Sequence, residues 1–219
     1  MIKSYVKRLG HFTPAQKKAY EKLSGAHLVS FSEENIDYEK TFGSKNGVTV
    51  EIGFGSGLAT AAIAEENPGK NYLGVEVHRP AIGRLLWEIE NRNIPNIKII
   101  EYDAVQVLEK MIPALSLDAV HIFFPDPWPK KKHRRRRLIQ RPFTEKLASS
   151  LTHGGYLYMV TDSEDYALHA LEELSACSIL KNNYDGFAAP QSWRPKTKFE
   201  QKGLEKNHTI RELLFSRKV

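Results

Sequence analysis

Residues 48 to 57 read VTVEIGFGSG, and this stretch decides the fold class of the chain. Its first half is rich in β-branched residues, so we predict a buried strand over VTVEIGF. The glycines at 53, 55 and 57 permit a sharp turn and leave backbone bare for a ligand. The apolar segment LATAAIAEEN follows directly and predicts a helix. A strand, a glycine turn and a helix in this order predict an α/β protein.

The same alternation continues along the chain. Further strands are predicted at 71–77, 97–103, 117–124 and 154–162, and helices at 58–67, 79–93, 104–111, 163–177 and within 137–151. The helix at 163–177 has Asp162 or Ser163 as its expected N-cap. Strands that alternate with helices predict a mostly parallel sheet covered by helices on both faces.

The flanking segments are less regular. Thr13 followed by Pro14 predicts the start of a helix over 14–23, and a polar stretch runs from there to about Asn46. Near the end, 208–218 is predicted to be a last strand, and 181–203 reads as a long functional loop. We therefore expect one domain over 1–219, with an N-terminal helical or irregular extension at 1–46 and a catalytic core at 47–219.

Charge and composition narrow the class of protein. The net charge is +6, from 32 Lys and Arg against 26 Asp and Glu, and seven of the cations lie between Lys130 and Arg137. A basic excess in one place favours a polyanionic partner. The single Cys177 excludes an internal disulfide, and no stretch approaches the roughly 18 apolar residues of a membrane span. We expect a cytoplasmic protein without a metal or a membrane segment.

Acidic residues mark the ends of the first three predicted strands, where ligands bind in open α/β sheets. A dinucleotide-binding turn needs a glycine at position 58, which is Leu58, so the glycine spacing suits S-adenosylmethionine better. Glu51 begins this turn, Glu76 is placed to accept from a ribose diol, and Asp103 from an adenine amino group. Each of these carboxylates has the alternative reading of a helix cap or a solvated loop residue.

The segment FPDPWP at 124–129 places Asp126 between two prolines that restrict its backbone. Such rigidity suits a catalytic carboxylate, and Trp128 offers a face for a base to stack on. The alternative is a proline-stiffened connection with Asp126 in an Asx turn and Trp128 in the core. The basic run that follows suggests a nucleic-acid backbone guided toward this loop, and a solvated charged surface is its alternative.

Six segments, taken together and in order, carry a family resemblance: EIGFGSG, GVEVHRP, EYDA, FPDPWPKKKH, YMVTDSEDY and TKFEQKG. The chain resembles the bacterial tRNA (guanine-N7-)-methyltransferase family over most of its length. The resemblance implies a Rossmann-like, seven-stranded methyltransferase sheet. It also implies methyl transfer from S-adenosylmethionine to N7 of the variable-loop guanine of tRNA, position 46 in tRNA convention.

The resemblance assigns roles residue by residue. It implies cofactor contacts at Glu51, Glu76, Asp103 and Asp126, beside the turn of Gly53, Gly55 and Gly57, with Asp126 also the catalytic residue. It implies substrate contacts at Lys130, Asp162, Thr197, Lys198, Phe199 and Glu200. It implies RNA contacts at Lys132, His133, Arg134, Arg135, Arg136 and Arg137.

Three other functions remain open from the sequence. A base-amino methyltransferase fits the Asp-Pro-Trp-Pro loop, which is similar to loops that position an exocyclic amine. A nicotinamide-dependent oxidoreductase is disfavoured by Leu58. A non-catalytic RNA-binding module would bind tRNA without transferring a methyl group.

Overall fold

The structure is a computed structural model that describes residues 3–5, 10–205 and 207–219, without the side chains of residues 198, 199 and 202. Its helices are α1 (Pro14–His27), α2 (Tyr38–Phe42), α3 (Leu58–Glu66), α4 (Arg79–Arg92), α5 (Ala104–Lys110), α6 (Phe143–Ser150), α7 (Glu164–Ser175) and α8 (Lys198–Glu205). Its strands are β1 (Val48–Ile52), β2 (Asn71–Glu76), β3 (Ile97–Glu101), β4 (Leu117–Phe123), β5 (Leu151–Thr161), β6 (Leu180–Asn182) and β7 (Arg211–Arg217). A 3-10 helix covers Lys131–Arg136.

The seven strands form one sheet in the order β3-β2-β1-β4-β5-β7-β6. The pairs β1–β2, β2–β3 and β4–β5 are parallel, and β7 runs antiparallel to both of its neighbours. This confirms the predicted α/β class and the mostly parallel, seven-stranded sheet. No described helix is both long enough and apolar enough to cross a membrane.

The chain folds into two compact units. The first unit consists of the described residues of Lys7–Pro113 with Trp193–Pro195, and the second of Ala114–Ser192 with the described residues of Lys196–Val219 and Met1–Val6. No observation tests whether they act as one domain, so the single domain over 1–219 stays a prediction.

In the first unit, β1 is buried at all five positions, as expected for a parallel strand covered on both faces. The predicted strand at 48–54 ends earlier, at Ile52, because Gly53 takes a left-handed φ of 70°. Helix α1 begins with a capping box in which the Thr13 and Gln16 side chains bond each other's backbone N–H, and it packs against α4. The polar segment before Asn46 contains α2, which has no apolar periodicity to predict it.

In the second unit, Ser163 caps α7 by accepting from the N–H of Tyr166, which settles the two expected caps in favour of Ser163. The strand predicted over 208–218 is present as β7, at Arg211–Arg217. The segment 181–203, predicted to be a loop, contains the end of β6 and the beginning of α8. Strand β6 is three residues long, too short for a pattern of alternation to appear.

Candidate functional site

The glycine turn after β1 is open toward solvent at two of its three glycines. A Cβ added at Gly53 or Gly55 would meet no atom within 4 Å, and both residues have left-handed φ angles of 70° and 54°. A Cβ at Gly57 would lie 2.7 Å from the Cβ of Leu85 in α4. Gly57 is therefore needed for packing, whereas Gly53 and Gly55 shape a bare backbone surface that a ligand can approach.

The carboxylate of Glu76 is held against this turn. Its Oε2 accepts from the Gly55 N–H at 3.1 Å, and its Oε1 accepts from the N–H groups of Val77 at 2.7 Å and His78 at 3.1 Å. Each carboxylate oxygen has two acceptor positions, so these bonds orient the group without exhausting it. Glu76 is thus fixed beside the open glycines, and Oε2 can still accept from one hydroxyl of a diol.

Glu51 is a buried carboxyl next to the same turn. Only 4% of its surface is exposed, and its Oε2 accepts from the Thr60 hydroxyl at 2.8 Å. Burial raises the pKa of Glu51 to about 7, with the Thr60 hydrogen bond opposing this rise and the charge of Glu76 adding to it. Two acidic groups that repel one another beside an open turn favour a cationic ligand.

Asp103 is the N-cap of α5, as its alternative reading predicted. Its Oδ1 caps α5 by accepting from the N–H groups of Val105 at 2.9 Å and Gln106 at 3.3 Å. The cap therefore accounts for one carboxylate oxygen, and the adenine contact of Asp103 stays a prediction.

S-adenosylmethionine fits the chemistry of these residues. Gly53 and Gly55 offer bare backbone, and Glu51, Glu76 and Asp103 supply acceptors for a ligand that carries a sulfonium, an ammonium and an adenosine diol. Among the described residues, there is no group of three or more His, Cys, Asp or Glu side chains arranged to hold a metal ion.

In the second unit, Asp126 lies on a strained loop. Phe124 and Trp128 flank it with left-handed φ angles of 51° and 46°, which non-glycine residues rarely adopt. The Phe124 N–H donates to the Val160 carbonyl at 2.8 Å, which ties the start of the loop to β5. The Asp126 side chain is exposed. Backbone strain of this kind concentrates at functional sites, where surrounding contacts hold it in place.

Trp128 is neither a core residue nor a freely exposed stacking face. The Arg136 guanidinium lies 3.8 Å from the centroid of its ring, and the indole N–H donates to the Ser4 carbonyl at 3.1 Å. Arg136 also donates to the carbonyls of Lys3 at 2.9 Å and Tyr5 at 2.8 Å. A base that stacks on the face covered by Arg136 would have to displace the guanidinium.

The basic run forms the 3-10 helix, and most of it is exposed. The exposed residues are Lys130, Lys131, Lys132, Arg134 and Arg135. Arg134 pairs with Asp165 at 2.8 Å on the surface. Partial desolvation, and after it the neighbouring cations, lower the pKa of His133. The arrangement presents a dense positive surface that suits a phosphate backbone.

Arg137 differs from the other six cations. Only 1% of its side chain is exposed, and its guanidinium bonds the carbonyl of Pro127 at 3.0 Å and the carboxylate of Asp165. A guanidinium buried in this way makes structural contacts, and the RNA contact of Arg137 stays a prediction.

The segment that begins at Thr197 starts a helix. The Thr197 hydroxyl accepts from the Glu200 N–H at 3.1 Å, and the Glu200 carboxylate accepts from the Thr197 N–H at 3.4 Å. These two bonds form a capping box at the first turn of α8. The side chains of Lys198 and Phe199 lie outside the described part of the chain. Substrate contacts at these four positions stay a prediction.

Asp162 follows β5 directly and lies beside α8. Its Oδ2 is 3.2 Å from Nδ1 of His208, and a Cβ added at Gly203 in α8 would lie 3.3 Å from the Asp162 Cβ. The second unit therefore places Asp162 beside Gly203 of α8, the helix whose first turn Thr197 and Glu200 stabilise. The His208 contact was not predicted, since nothing in the sequence links two residues so far apart.

Comparison with known proteins gives the class first. The solved structures of the 16S rRNA methyltransferase KamB and the antibiotic-resistance methyltransferase Kmr both align with a TM-score of 0.57, at 13% and 14% identity. The KamB alignment spans all of this chain and all of KamB. The Kmr alignment spans 87% of this chain and 95% of Kmr. A family model described as "Putative methyltransferase" matches residues 45–213. The fold is that of an S-adenosylmethionine-dependent methyltransferase.

Two curated relatives are closer. The tRNA (guanine-N(7)-)-methyltransferase of Nitrosomonas eutropha is 47% identical over 216 residues, which cover 99% of this chain and 96% of the relative. The enzyme of the same name from Chromobacterium violaceum is 45% identical over 217 residues, with the same coverage. The chain belongs to the tRNA (guanine-N(7)-)-methyltransferase family, which confirms the resemblance found in the sequence.

Proposed function

We propose that this protein transfers a methyl group from S-adenosylmethionine to N7 of the guanine at position 46 in the variable loop of tRNA. The observation that carries the proposal is the 47% identity to a curated tRNA (guanine-N(7)-)-methyltransferase over 99% of the chain. The glycine turn with its carboxylates and the exposed basic helix support it independently. A tRNA substrate supports the proposed location in the cytoplasm.

The chemistry asks for positioning more than for proton transfer. When bound, S-adenosylmethionine supplies an electrophilic methyl group on a sulfonium sulfur. Guanine N7 carries an in-plane lone pair and no proton, so no residue has to act as a general base. The open turn of Gly53 and Gly55, with Glu76 fixed beside it, orients one reactant and lets proximity supply much of the rate.

Asp126 has the electrostatic role. The purine ring gains positive charge as N7 is alkylated, and a carboxylate near the base stabilises this charge. The two left-handed residues that flank Asp126 fix where its backbone points, which reduces the reorganisation needed during the reaction.

Selection of guanine needs an acceptor for its N1–H and N2–H donors. Asp126 and Asp162 are both candidates. Asp162 uses Oδ2 in the contact with His208, which orients the carboxylate. Adenine presents an acceptor at N1, so either carboxylate disfavours it.

The exposed cations hold the tRNA backbone. We assign this role to Lys130, Lys132, Arg134 and Arg135, with the partly exposed Arg136 and the His133 imidazole beside them, and leave out the buried Arg137. Each phosphate contact that is made releases a counterion, so binding weakens steeply with salt.

The experiment compares tritiated-methyl transfer onto two tRNA transcripts, one with guanine and one with 7-deazaguanine at position 46. We expect the analogue to bind with similar affinity, because its Watson–Crick edge and phosphates are unchanged, and to accept no methyl group. An amino-group methyltransferase would modify both transcripts, and a non-catalytic RNA-binding protein would modify neither. A third transcript with adenine at position 46 tests the position itself, and methylation of that tRNA would contradict the assignment to position 46.

A further inference from the structure

Arg137 is the buried member of a run of seven cations. Its guanidinium donates through Nε to the Pro127 carbonyl at 3.0 Å, through one terminal nitrogen to the Asp165 carbonyl at 3.4 Å, and through the other to the Asp165 carboxylate. It also lies 5.0 Å from the centroid of the Tyr166 ring. The planar fork of arginine makes these contacts at once, and no other side chain has that geometry.

The carbonyl that Arg137 binds belongs to the residue directly after Asp126. The loop around it contains the left-handed residues Phe124 and Trp128, and such a backbone persists only where its surroundings hold it. Phe124 is tied to β5 through the Val160 carbonyl. Arg137 provides the second anchor, between Asp126 and Trp128.

Asp165, the acidic partner of Arg137, also pairs with an exposed cation of the basic run. The Arg137 hydrogen bond lowers the pKa of Asp165, which keeps this carboxylate ionised. The same carboxylate accepts a surface ion pair from Arg134 at 2.8 Å. Asp165 therefore links an exposed cation of the 3-10 helix to the buried guanidinium that holds the Asp126 loop.

Tyr166 binds the backbone of the two residues that follow Arg137. Its hydroxyl oxygen accepts from the N–H groups of Leu138 at 3.0 Å and Ile139 at 3.1 Å, immediately after Arg137. Burial raises its pKa to about 12, so it stays neutral beneath the charges. The chain at 137–139 is thus fixed to α7 by both of the consecutive residues Asp165 and Tyr166.

We infer that Arg137 is a positioning residue that fixes the Asp126 loop for methyl transfer, and that Asp165 couples this loop to the RNA-binding helix. The inference rests on the proposed function, since the loop matters only if Asp126 acts on the methyl acceptor. The inference gives Arg137 a role different from that of its neighbours in the run, to which we assign phosphate binding.

The test compares Arg137→Gln with Arg135→Gln, a matched control that removes one exposed cation from the same run. For Arg137→Gln we expect kcat at saturating tRNA to fall about 10- to 100-fold, the loss typical of a misplaced reacting group, with the Kd for tRNA and its salt dependence little changed. For Arg135→Gln we expect weaker tRNA binding, a higher KM, and a slope of log K against log salt that is less steep by about 0.7 to 0.9.

Hydrogen exchange over 124–130, followed by mass spectrometry, supplies a readout that does not depend on turnover. We expect faster exchange in this segment for Arg137→Gln, and unchanged exchange there for Arg135→Gln. Asp165→Asn removes the carboxylate and keeps Arg134 and Arg137. We expect a smaller fall in kcat and a smaller rise in exchange over 124–130 than for Arg137→Gln. If Arg137→Gln does not fold, Asp165→Asn decides the question, with Arg137→Lys as a partial rescue.

Two results would overturn the inference. One is an Arg137→Gln protein that loses tRNA affinity and salt dependence as Arg135→Gln does while keeping its kcat. The other is wild-type kcat and wild-type loop exchange in the variants of Arg137 and Asp165. A wild-type protein that methylates no tRNA would instead contradict the proposed function, and the exchange measurement would still test the anchoring of the loop.

Discussion

Burial raises the pKa of Glu51 and makes the stability of the fold depend on pH. Its carboxyl is enclosed at the end of β1 with the Thr60 hydroxyl as hydrogen-bond donor and Glu76 nearby. In the unfolded chain this acid has its usual pKa of 4.5, whereas burial raises the pKa to about 7 in the folded state. Between these two values the folded protein binds the extra proton, so its stability falls as the pH rises from about 4.5 to about 7.

Glu51→Gln should remove this dependence. Glutamine keeps an acceptor for Thr60 and has no charge to bury, so we expect the variant to be more stable than wild type above pH 7. One pKa unit is worth about 1.4 kcal/mol, which sets the gain at up to about 3 kcal/mol. At pH 4 the two proteins should be nearly equal, and thermal unfolding at several pH values measures the difference.

The same variant should bind S-adenosylmethionine more weakly, because a cationic ligand favours the ionised carboxylate that glutamine lacks. Glu66→Gln, an exposed residue at the end of α3, is the matched control and should change neither property. Identical pH profiles for wild type and Glu51→Gln would show that Glu51 titrates normally in the folded state.

At the scale of the element, α8 depends on the pair of side chains that begins it. Thr197 and Glu200 satisfy each other's backbone N–H at the first turn, and Glu200 is buried. This arrangement gives the TKFE segment a structural role in addition to the predicted substrate contacts. Because Asp162 lies against Gly203, the position of α8 also bears on the surroundings of Asp162.

Thr197→Val should loosen α8. Valine has the shape of threonine without the hydroxyl, so the Glu200 N–H loses its acceptor, at a cost of about 0.5 to 2 kcal/mol. We expect faster hydrogen exchange in α8 and lower methyl transfer. Thr197→Ser keeps the hydroxyl and should behave nearly as wild type. If valine and serine have equal effects, the hydroxyl does not cap the helix.

Elements with strong local patterns were predictable from the sequence, and those fixed by distant partners were not. The strands at 71–76 and 97–101 are rich in apolar and β-branched residues, and Ser163 is a cap by its own chemistry. Among the described strands, β6 pairs with β7 alone, a partner whose position no local pattern gives.

The same distinction applies to the candidate site. The carboxylates Glu51, Glu76 and Asp103 were found because parallel strands bring their ends to one edge of a sheet. The burial of Arg137 was missed because seven adjacent cations look alike in sequence. Arg134 also pairs with Asp165, so what separates Arg137 from its neighbours is its burial against the Pro127 carbonyl and the Tyr166 ring.

Across the whole molecule, the excess of positive charge is concentrated in one segment, between Lys130 and Arg137. Without the seven cations between Lys130 and Arg137 the chain would have 25 Lys and Arg against 26 Asp and Glu, so the basic excess belongs to that run. Five of the seven, Lys130, Lys131, Lys132, Arg134 and Arg135, are exposed at the surface to a polyanion. The chain therefore attracts nucleic acid at one segment, rather than by a general positive charge.

Strand β7, which inserts between β5 and β6, has a consequence for synthesis on the ribosome. All strands of the first unit lie between Val48 and Glu101 and are made early, whereas the eleven-residue β5 waits for Arg211–Arg217 to cover its edge. An uncovered strand edge is a template for aggregation. The nascent second unit is thus exposed until β7 emerges, and a chain cut before Arg211 should sediment as aggregate. Removal of Val219 alone, which lies beyond β7, should leave the protein in the supernatant, and soluble monomer from the shorter chain would contradict this order of assembly.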